Sequence, residues 1–555
     1  MPTVRFYPDN KEIEVEEGST ILSAARSSGV TIEAPCNGVG VCGKCKVKLS
    51  KESVGNVLQY GKHKLKAEEE KEGFVLACDT KIYGDISVYI NDFEQKESIQ
   101  ILSEGKSFNV EIDSYIKKKY TEKKNVTKVF ANGVLLTEEV GDTSGENYGV
   151  VIDIGTTTLV ASLINLNNGE ELASTSALNP QSVHAQDVLS RIKFASDENG
   201  LQLMYSEFIN EANSMIGKVI LNSGKNKDNI YEVIFSGNTC MIHLATNVNP
   251  YSLGKYPYTP LVDGDIYLSA KEHKLNISDY GLIYLPKIIS SYVGADITSG
   301  VLAAEIHKEK GKILFIDIGT NGEMVFADNG KLSASSTAAG PAFEGMNITH
   351  GMRAGNGAIE YFDIKESGNI EIKTIGNVKP TGICGSGLLD IVGELVSYNI
   401  INESGRFAVG KSEEPLTNER LVKVDGKNVF MLTDKVYLSQ KDVRQVQLAK
   451  GAIRTGIEFL LKSKNVKADE VDKVLIAGSF GYHLRVKSLL NIGLLPKAFE
   501  GKIEFIGNTS KSGGQVLLVN KNYRKEISEV VKEIEVIELS NYEDFDKVFV
   551  KNIKF

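Results

Sequence analysis

Val150-Val151-Ile152-Asp153-Ile154-Gly155-Thr156-Thr157-Thr158 is the stretch on which the fold turns. A run of branched apolar residues is the composition of a buried strand, and here it ends in an acid and a Gly-Thr turn. The following TLVASLINL reads as the returning strand of a hairpin. The pattern recurs at Ile313-Leu314-Phe315-Ile316-Asp317-Ile318-Gly319-Thr320-Asn321-Gly322-Glu323, again followed by an apolar strand, MVFA. A Gly-Thr turn offers N–H groups and hydroxyls to phosphate. An aspartate at the strand end can hold Mg2+, directly or through water. Two such strings with matched flanks predict an internal repeat whose hairpins face one another across a phosphate-gripping cleft.

Working outward, SQKDVRQVQLAKGAIRTGIEFLLK carries Val443, Val446, Ala449, Ile453, Ile457 and Leu460 at helical spacing, the stripe of a core helix. Then comes Val474-Leu475-Ile476-Ala477-Gly478-Ser479-Phe480-Gly481, a strand ending in a turn where a flat base can approach the backbone. Gly385-Ser386-Gly387, ahead of LLDIVGEL, reads as a helix start able to accept an anion. The order of these elements resembles the acetate and sugar kinase, Hsp70 and actin superfamily of ATPases, with its phosphate-1, phosphate-2 and adenosine motifs. The resemblance implies a duplicated, ribonuclease H-like α/β fold that binds ATP and Mg2+. Asp153, Asp317 and Glu323 would then be the catalytic acids. Gly155, Thr156, Thr157, Thr158, Gly319, Thr320, Asn321, Gly322 and Gly340 would surround the phosphates. Gly478, Ser479 and Phe480 would face the base. SSYVGADITSGVLAAEI looks like the first connecting helix, with small residues Gly294, Ala295, Gly300 and Ala303 for a close crossing. Neither a G-x4-GK[ST] loop nor a strand-borne G-x-G-x-x-G is present.

The first ninety residues have a different character. Val4 and Phe6 alternate, PDNKE turns, and Ile13 and Val15 alternate, which reads as a hairpin. Ser19 or Thr20 can cap a short helix, ILSAARSS, ended by Gly29. Cys36, Cys42 and Cys45 follow with spacing C-x5-C-x2-C among glycines 38, 40 and 43, and Cys78 lies in GFVLACDT. Glycine lets a loop turn sharply and bring backbone N–H groups near sulfide. A zinc site would favour short Cys pairs at both ends, and Cys78 has no such partner. The spacing resembles a [2Fe–2S] ferredoxin, which implies an α+β, β-grasp domain with Cys36, Cys42, Cys45 and Cys78 as cluster ligands. KHKLKAEEEKEG reads as a solvated loop.

The 555 residues are 42% hydrophobic and 24% charged, an ordinary globular composition. Lys and Arg number 63 against 72 Asp and Glu, a formal charge of −9, which argues against non-specific nucleic-acid binding. No stretch reaches about 18 uncharged apolar residues, so no membrane span is expected. MPTVRFYPDN lacks a basic segment followed by an apolar core, so no signal peptide is expected. Cysteines clustered at 36–78 point to metal or redox chemistry in a cytoplasmic chain. The expected organisation is a ferredoxin-like domain at 1–93, a linker with a small docking element at 94–147, ATPase subdomains at 148–310 and 311–520, and a C-terminal segment at 521–555. Cys240, Cys384, His243 and His350 read as packing residues. Glu344 and Arg353 could serve the site or merely the structure.

Longer strings are more specific: NPQSVHAQDVLSRI, SGNTCMIHL, STAAGPAFEGMNITHGMRAGNGAI and PTGICGSGLLDIVGEL. With DIGTNGE and AGSFG they resemble the reductive activators of corrinoid proteins over nearly the whole chain. Departures fall at His184-Ala185, at Tyr482-His483-Leu484 and in GNTSKSGG. The resemblance implies ATP-dependent return of cob(II)amide to cob(I)amide on a methyltransferase or corrinoid iron–sulfur protein. It further implies an upstream electron donor and a homodimer. The rival readings are an activator of another low-potential enzyme and a small-molecule kinase of the superfamily, which would need no cluster cysteines.

Overall fold

The computed structural model describes residues 1–7, 10–30, 32, 34, 43, 45–59, 65, 67–90, 110–365, 367–408, 420–478 and 484–555. The chain divides into two compact units, residues 1–98 with 181–186, and residues 99–180 with 187–555. Among the described residues no helix is long and apolar enough to cross a membrane.

In the first unit the hairpin expected from alternation forms between Thr3–Tyr7 and Lys11–Glu14, with Val4 opposite Ile13. Thr3–Tyr7 also pairs in parallel with Ile86–Tyr89, at the centre of a five-stranded sheet that continues through Lys46–Leu49 to Phe74–Leu76. Val4, Phe6, Val47 and Val88 are fully buried against Ile21 and Ala25 of the helix Ile21–Ser27. The Thr20 hydroxyl accepts the Ser23 N–H and caps that helix. A sheet clasping one helix is the β-grasp architecture read from the sequence. One reading changes: within KHKLKAEEEKEG, Ala67–Lys71 is a short helix, as its run of strong helix formers allows.

The second unit contains the duplication. Tyr148–Ile154 pairs antiparallel with Thr158–Asn165 and the latter with Glu171–Leu178, a three-strand meander. On its other edge Tyr148–Ile154 runs parallel to Ile230–Gly237, which runs parallel to Leu282–Leu285. Lys312–Ile318, Gly322–Asp328 and Lys331–Thr337 repeat the meander, and Lys473–Ala477 and Ile503–Gly507 repeat the parallel pair. Both DIGT strings therefore sit at the same place in two copies of one sheet.

Two helices join the copies. Ala295–Ala304 and Thr509–Val519 cross closely enough that a Cβ on Gly513 would lie 2.0 Å from the Ser299 carbonyl oxygen. Val151 of one sheet and Phe315 of the other share a single buried cluster with Val301, Leu302, Leu517 and Leu518 of these helices. The helix Gln440–Ser463 begins at a Ser439–Asp442 capping box and buries every apolar residue expected of it.

The stretch 94–147 is not simply a linker. Residues 91–109 lie outside the described residues, but Ile116–Thr121, Val126–Ala131 and Val134–Val140 form a three-stranded antiparallel sheet of the second unit. Its Ile116, Val129 and Ala131 enter the cluster that holds Val151 and Ile164. Lys118 has a buried side chain paired to Glu139 at 2.9 Å. The segment 521–555 is likewise part of this unit. Glu535–Val536 adds a strand beside Lys331–Thr337, and Arg524 of the helix Asn522–Lys532 donates to buried Glu232 at 2.7 Å.

The helix crossing yields a test. Gly513→Val must push backbone against backbone, so it is expected to destabilise the second unit by about 3 kcal/mol or more. Gly217→Ala, on the helix Glu198–Ser223 where nothing lies within 4 Å, is expected to stabilise by about 0.5–1 kcal/mol. Urea denaturation of both variants checks the contrast; equal midpoints would refute it.

Candidate functional site

The two Gly-Thr turns, borne by separate sheets, lie face to face. Gly155-Thr156-Thr157 follows the first buried strand, Gly319-Thr320-Asn321 the second, and the Thr157 and Thr320 hydroxyl oxygens are 3.4 Å apart. Both turns line one cleft, together with Thr158, Gly385, Ser386 and Gly478. Each turn is braced from behind. Asn179 donates to the Gly155 carbonyl at 2.8 Å, and Asn238 to the Thr156 hydroxyl at 3.1 Å. The buried Arg191 guanidinium donates to the Thr156 carbonyl. In the second turn the Gly340 N–H donates to the Thr320 carbonyl at 2.8 Å.

Two glycines are required by geometry. A Cβ on Gly155 would lie 2.5 Å from the Thr158 carbonyl oxygen. Gly478 has φ +124° and passes so near the second hairpin that a Cβ would lie 2.5 Å from the Ile318 carbonyl oxygen. Gly322, Gly340 and Gly387 are not among the lining residues. Gly322 packs on Ile453, and Gly387 packs on the Ile359 carbonyl at the start of the helix Gly385–Ser397. Ser479 and Phe480, expected at the base, lie outside the described residues, as do Cys36 and Cys42.

The acids gather on one side. Asp153 accepts from Asn508 and Ser510, both at 2.7 Å. Ser236 lies 2.9 Å from Ser510 and 3.0 Å from Ser299, extending that contact into the helix crossing. Burial and the Asp153 charge push Asp317 up to about 7. Burial, Asp317 and Asp153 push Asp296 up to about 8. Burial, Asp296 and Asp317 hold Glu323 well above the usual carboxylate range. Four buried carboxylates in one cleft cannot all ionise without a counter-charge. Their oxygen-only donor set suits a hard cation such as Mg2+. Among the described residues no three His, Cys, Asp or Glu side chains converge as a metal cage.

Several lining residues were not singled out from the sequence. Asp296 stood in the connecting helix, read only for its small residues. Asn238 and Asn508 each follow a strand in the same string, Gly-Asn-Thr, and each caps the next helix. That repeated cap was the available signal. Glu360 also lines the cleft and had none. Arg353, Glu344 and Cys384 do line it. Cys240 is a buried thiol pushed up to about 12 by desolvation. Buried His243 lies 2.7 Å from the Thr239 carbonyl through Nδ1 and accepts the Leu261 N–H at 2.9 Å, so it is a packing residue. His350 packs edge-on against Tyr437.

In the first unit Cys45 and Cys78 come together, their sulfurs 3.2 Å apart, and the Cys78 N–H points at the Cys45 sulfur at 3.5 Å. Two thiols side by side with a backbone N–H on one of them fit a cluster ligand set.

Domain models match in three blocks. One described as a 2Fe-2S iron–sulfur cluster binding domain matches residues 5–83. One described as the RACo middle region matches 148–309, and one described as the C-terminal domain of RACo, the ASKHA domain, matches 311–555. The class is therefore an iron–sulfur ferredoxin module joined to an actin/Hsp70-type ATPase. A solved structure of a reductive activator for a corrinoid, iron–sulfur protein is 30% identical and superposes with a TM-score of 0.75, covering 100% of this chain and 98% of that one. The corrinoid activation enzyme RamQ of Eubacterium limosum is 28% identical over 98% of both chains. The [Co(II) methylated amine-specific corrinoid protein] reductase of Methanosarcina barkeri is 23% identical over 70% of this chain and 73% of its own. This chain belongs to the family of reductive activators of corrinoid proteins.

The cleft geometry predicts that Gly478→Val, which must displace the Ile318 carbonyl, weakens ATP binding by about tenfold or more while the visible spectrum of the iron–sulfur unit is unchanged. Isothermal titration with ATP and Mg2+ measures it. Undiminished affinity would separate Gly478 from the nucleotide site.

Proposed function

We propose that this protein uses ATP to return the cob(II)amide of a corrinoid protein to cob(I)amide, passing one electron through a [2Fe–2S] cluster. The observation that carries the reading is the presence in one chain of a ferredoxin fold with paired cysteines and a two-turn cleft backed by buried acids. Cys36, Cys42, Cys45 and Cys78 hold the cluster, which supplies a one-electron carrier. Asp153 and Asp317 serve the metal side of the cleft, with Glu323 and Asp296 completing its field. Thr156, Thr157, Thr320 and Asn321 meet the phosphates, and Gly478, Ser479 and Phe480 meet the base. The partner is a methyltransferase or a corrinoid iron–sulfur protein. An upstream electron donor, a homodimeric assembly and a cytoplasmic setting belong to the same reading.

ATP has a physical task here. A plant-type ferredoxin cluster works near roughly −400 mV. Each ~59 mV of uphill one-electron transfer costs a factor of ten at equilibrium. A nucleotide contributes only by favouring one conformation over another, since equal affinity for two states shifts nothing. Turns contributed by both copies of the duplicated sheet suit that task, because a ligand gripped from both sides biases how the copies sit.

The test is loss of the cob(II)amide absorption on a candidate corrinoid protein, with a reductant present. Loss is expected only with both this protein and Mg-ATP. Cys45→Ser is expected to keep ATP hydrolysis and reduce nothing above background. Asp317→Asn is expected to keep the cluster spectrum and lose hydrolysis and reduction by about 100-fold. Equal reduction without ATP would overturn the reading.

A further inference from the structure

Glu344 stands apart from the other acids of the cleft. Asp296, Asp317 and Glu323 are raised by one another's charge or by that of Asp153, so these four carboxylates share one field. The groups that act on Glu344 are different: the Thr157 and Thr320 hydroxyls and the guanidiniums of Arg353 and Arg191. Its Oε1 accepts the Thr320 hydroxyl, whose oxygen is 3.4 Å from that of Thr157. The carboxylate therefore lies where the two turns meet, and the Arg353 and Arg191 charges favour its ionised form.

Its place is rigid. Pro341–Glu344 is a single 3-10 turn bounded by Gly340 and Gly345, both at φ +77°. The Gly340 N–H is bonded to the Thr320 carbonyl at 2.8 Å. A Cβ on Gly345 would lie 2.4 Å from the Met352 carbonyl oxygen. Phe343 beside it is 1% exposed. The second carboxylate oxygen, Oε2, is buried and has no hydrogen-bond partner among the described residues. Buried carboxylate oxygens are ordinarily satisfied. One held unsatisfied against a phosphate-facing pair of hydroxyls marks a place for a donor that arrives with the substrate.

We propose that Glu344 is the general base of ATP hydrolysis, its Oε2 accepting a hydrogen bond from the attacking water at the junction of the Thr157 and Thr320 turns. The inference deepens the ATPase reading above and rests on it. As the water oxygen bonds to the terminal phosphorus, Oε2 takes the water proton. The bond from that phosphorus to the bridging oxygen breaks, and its electron pair leaves with ADP. Inorganic phosphate is the second product, and the Glu344 proton passes to solvent when the cleft opens. No oxidant or reductant enters the step. Burial raises Glu344 above the usual carboxylate range, which strengthens it as a base.

The test uses Glu344→Gln in the full-length protein, with ATP and Mg2+ and no corrinoid protein. Gln keeps the acceptor for Thr320 and loses the basic oxygen. Steady-state hydrolysis is expected to fall about 100-fold or more. ATP affinity by isothermal titration is expected to stay within about threefold, and the rise in melting temperature on adding ATP to persist. Hydrolysis within about threefold of wild type overturns the proposal. So does a loss of ATP affinity large enough to account for the lost hydrolysis, which would assign Glu344 to turn geometry. A wild-type protein that hydrolyses no ATP overturns the ATPase reading itself. One that hydrolyses ATP but reduces no corrinoid protein leaves this test fully decisive.

Discussion

Everything at the cleft depends on how closely two helices cross. Gly513 of Thr509–Val519 lies against the Ser299 carbonyl of Ala295–Ala304, where even a methyl group would collide. That approach lets the cores under both sheets merge around Val151 and Phe315. It also sets where the helix starts fall. Asp296 enters the cleft from one helix, and Asn508 and Ser510 reach Asp153 from the start of the other. A bulkier crossing would separate the acids from the turns they serve.

The cleft has two electrostatic sides, and they follow from different elements. Strand ends and a helix start supply Asp153, Asp317, Glu323 and Asp296; burial raises all four, and acidic neighbours raise Asp317, Asp296 and Glu323 further. The turns supply hydroxyls and N–H groups, and beside them Glu344 is set among Arg191 and Arg353. The first side suits a cation, and the hydroxyls and N–H groups of the second suit a phosphate anion. Duplication underlies this arrangement, since each hairpin gives one Gly-Thr turn and a strand-end aspartate, Asp153 or Asp317.

The electron-carrying unit is built on other terms. Its core is small, and its candidate ligands include two described cysteines from distant segments: Cys45 just before the strand Lys46–Leu49 and Cys78 just after Phe74–Leu76. Sheet pairing brings them together, with Lys46 opposite Leu76.

What is local was legible along the chain. Buried-strand runs, their repetition, the cysteine spacing, the Thr20 cap and the stripe from Val443 to Leu460 are written in consecutive or periodically spaced residues, because each answers to backbone hydrogen bonding and one apolar face. Only the tertiary structure decided the rest. Ile116–Val140 falls in the stretch expected as a linker, and it is a sheet because Ile116, Val129 and Ala131 pack into a partner core. Asp296, Asn238, Asn508 and Ser510 are short polar residues at helix starts, ordinary caps in any one-dimensional reading. They join the site because strand order and a glycine-mediated crossing carry distant segments to Asp153 and Asp317, and no local pattern encodes that convergence.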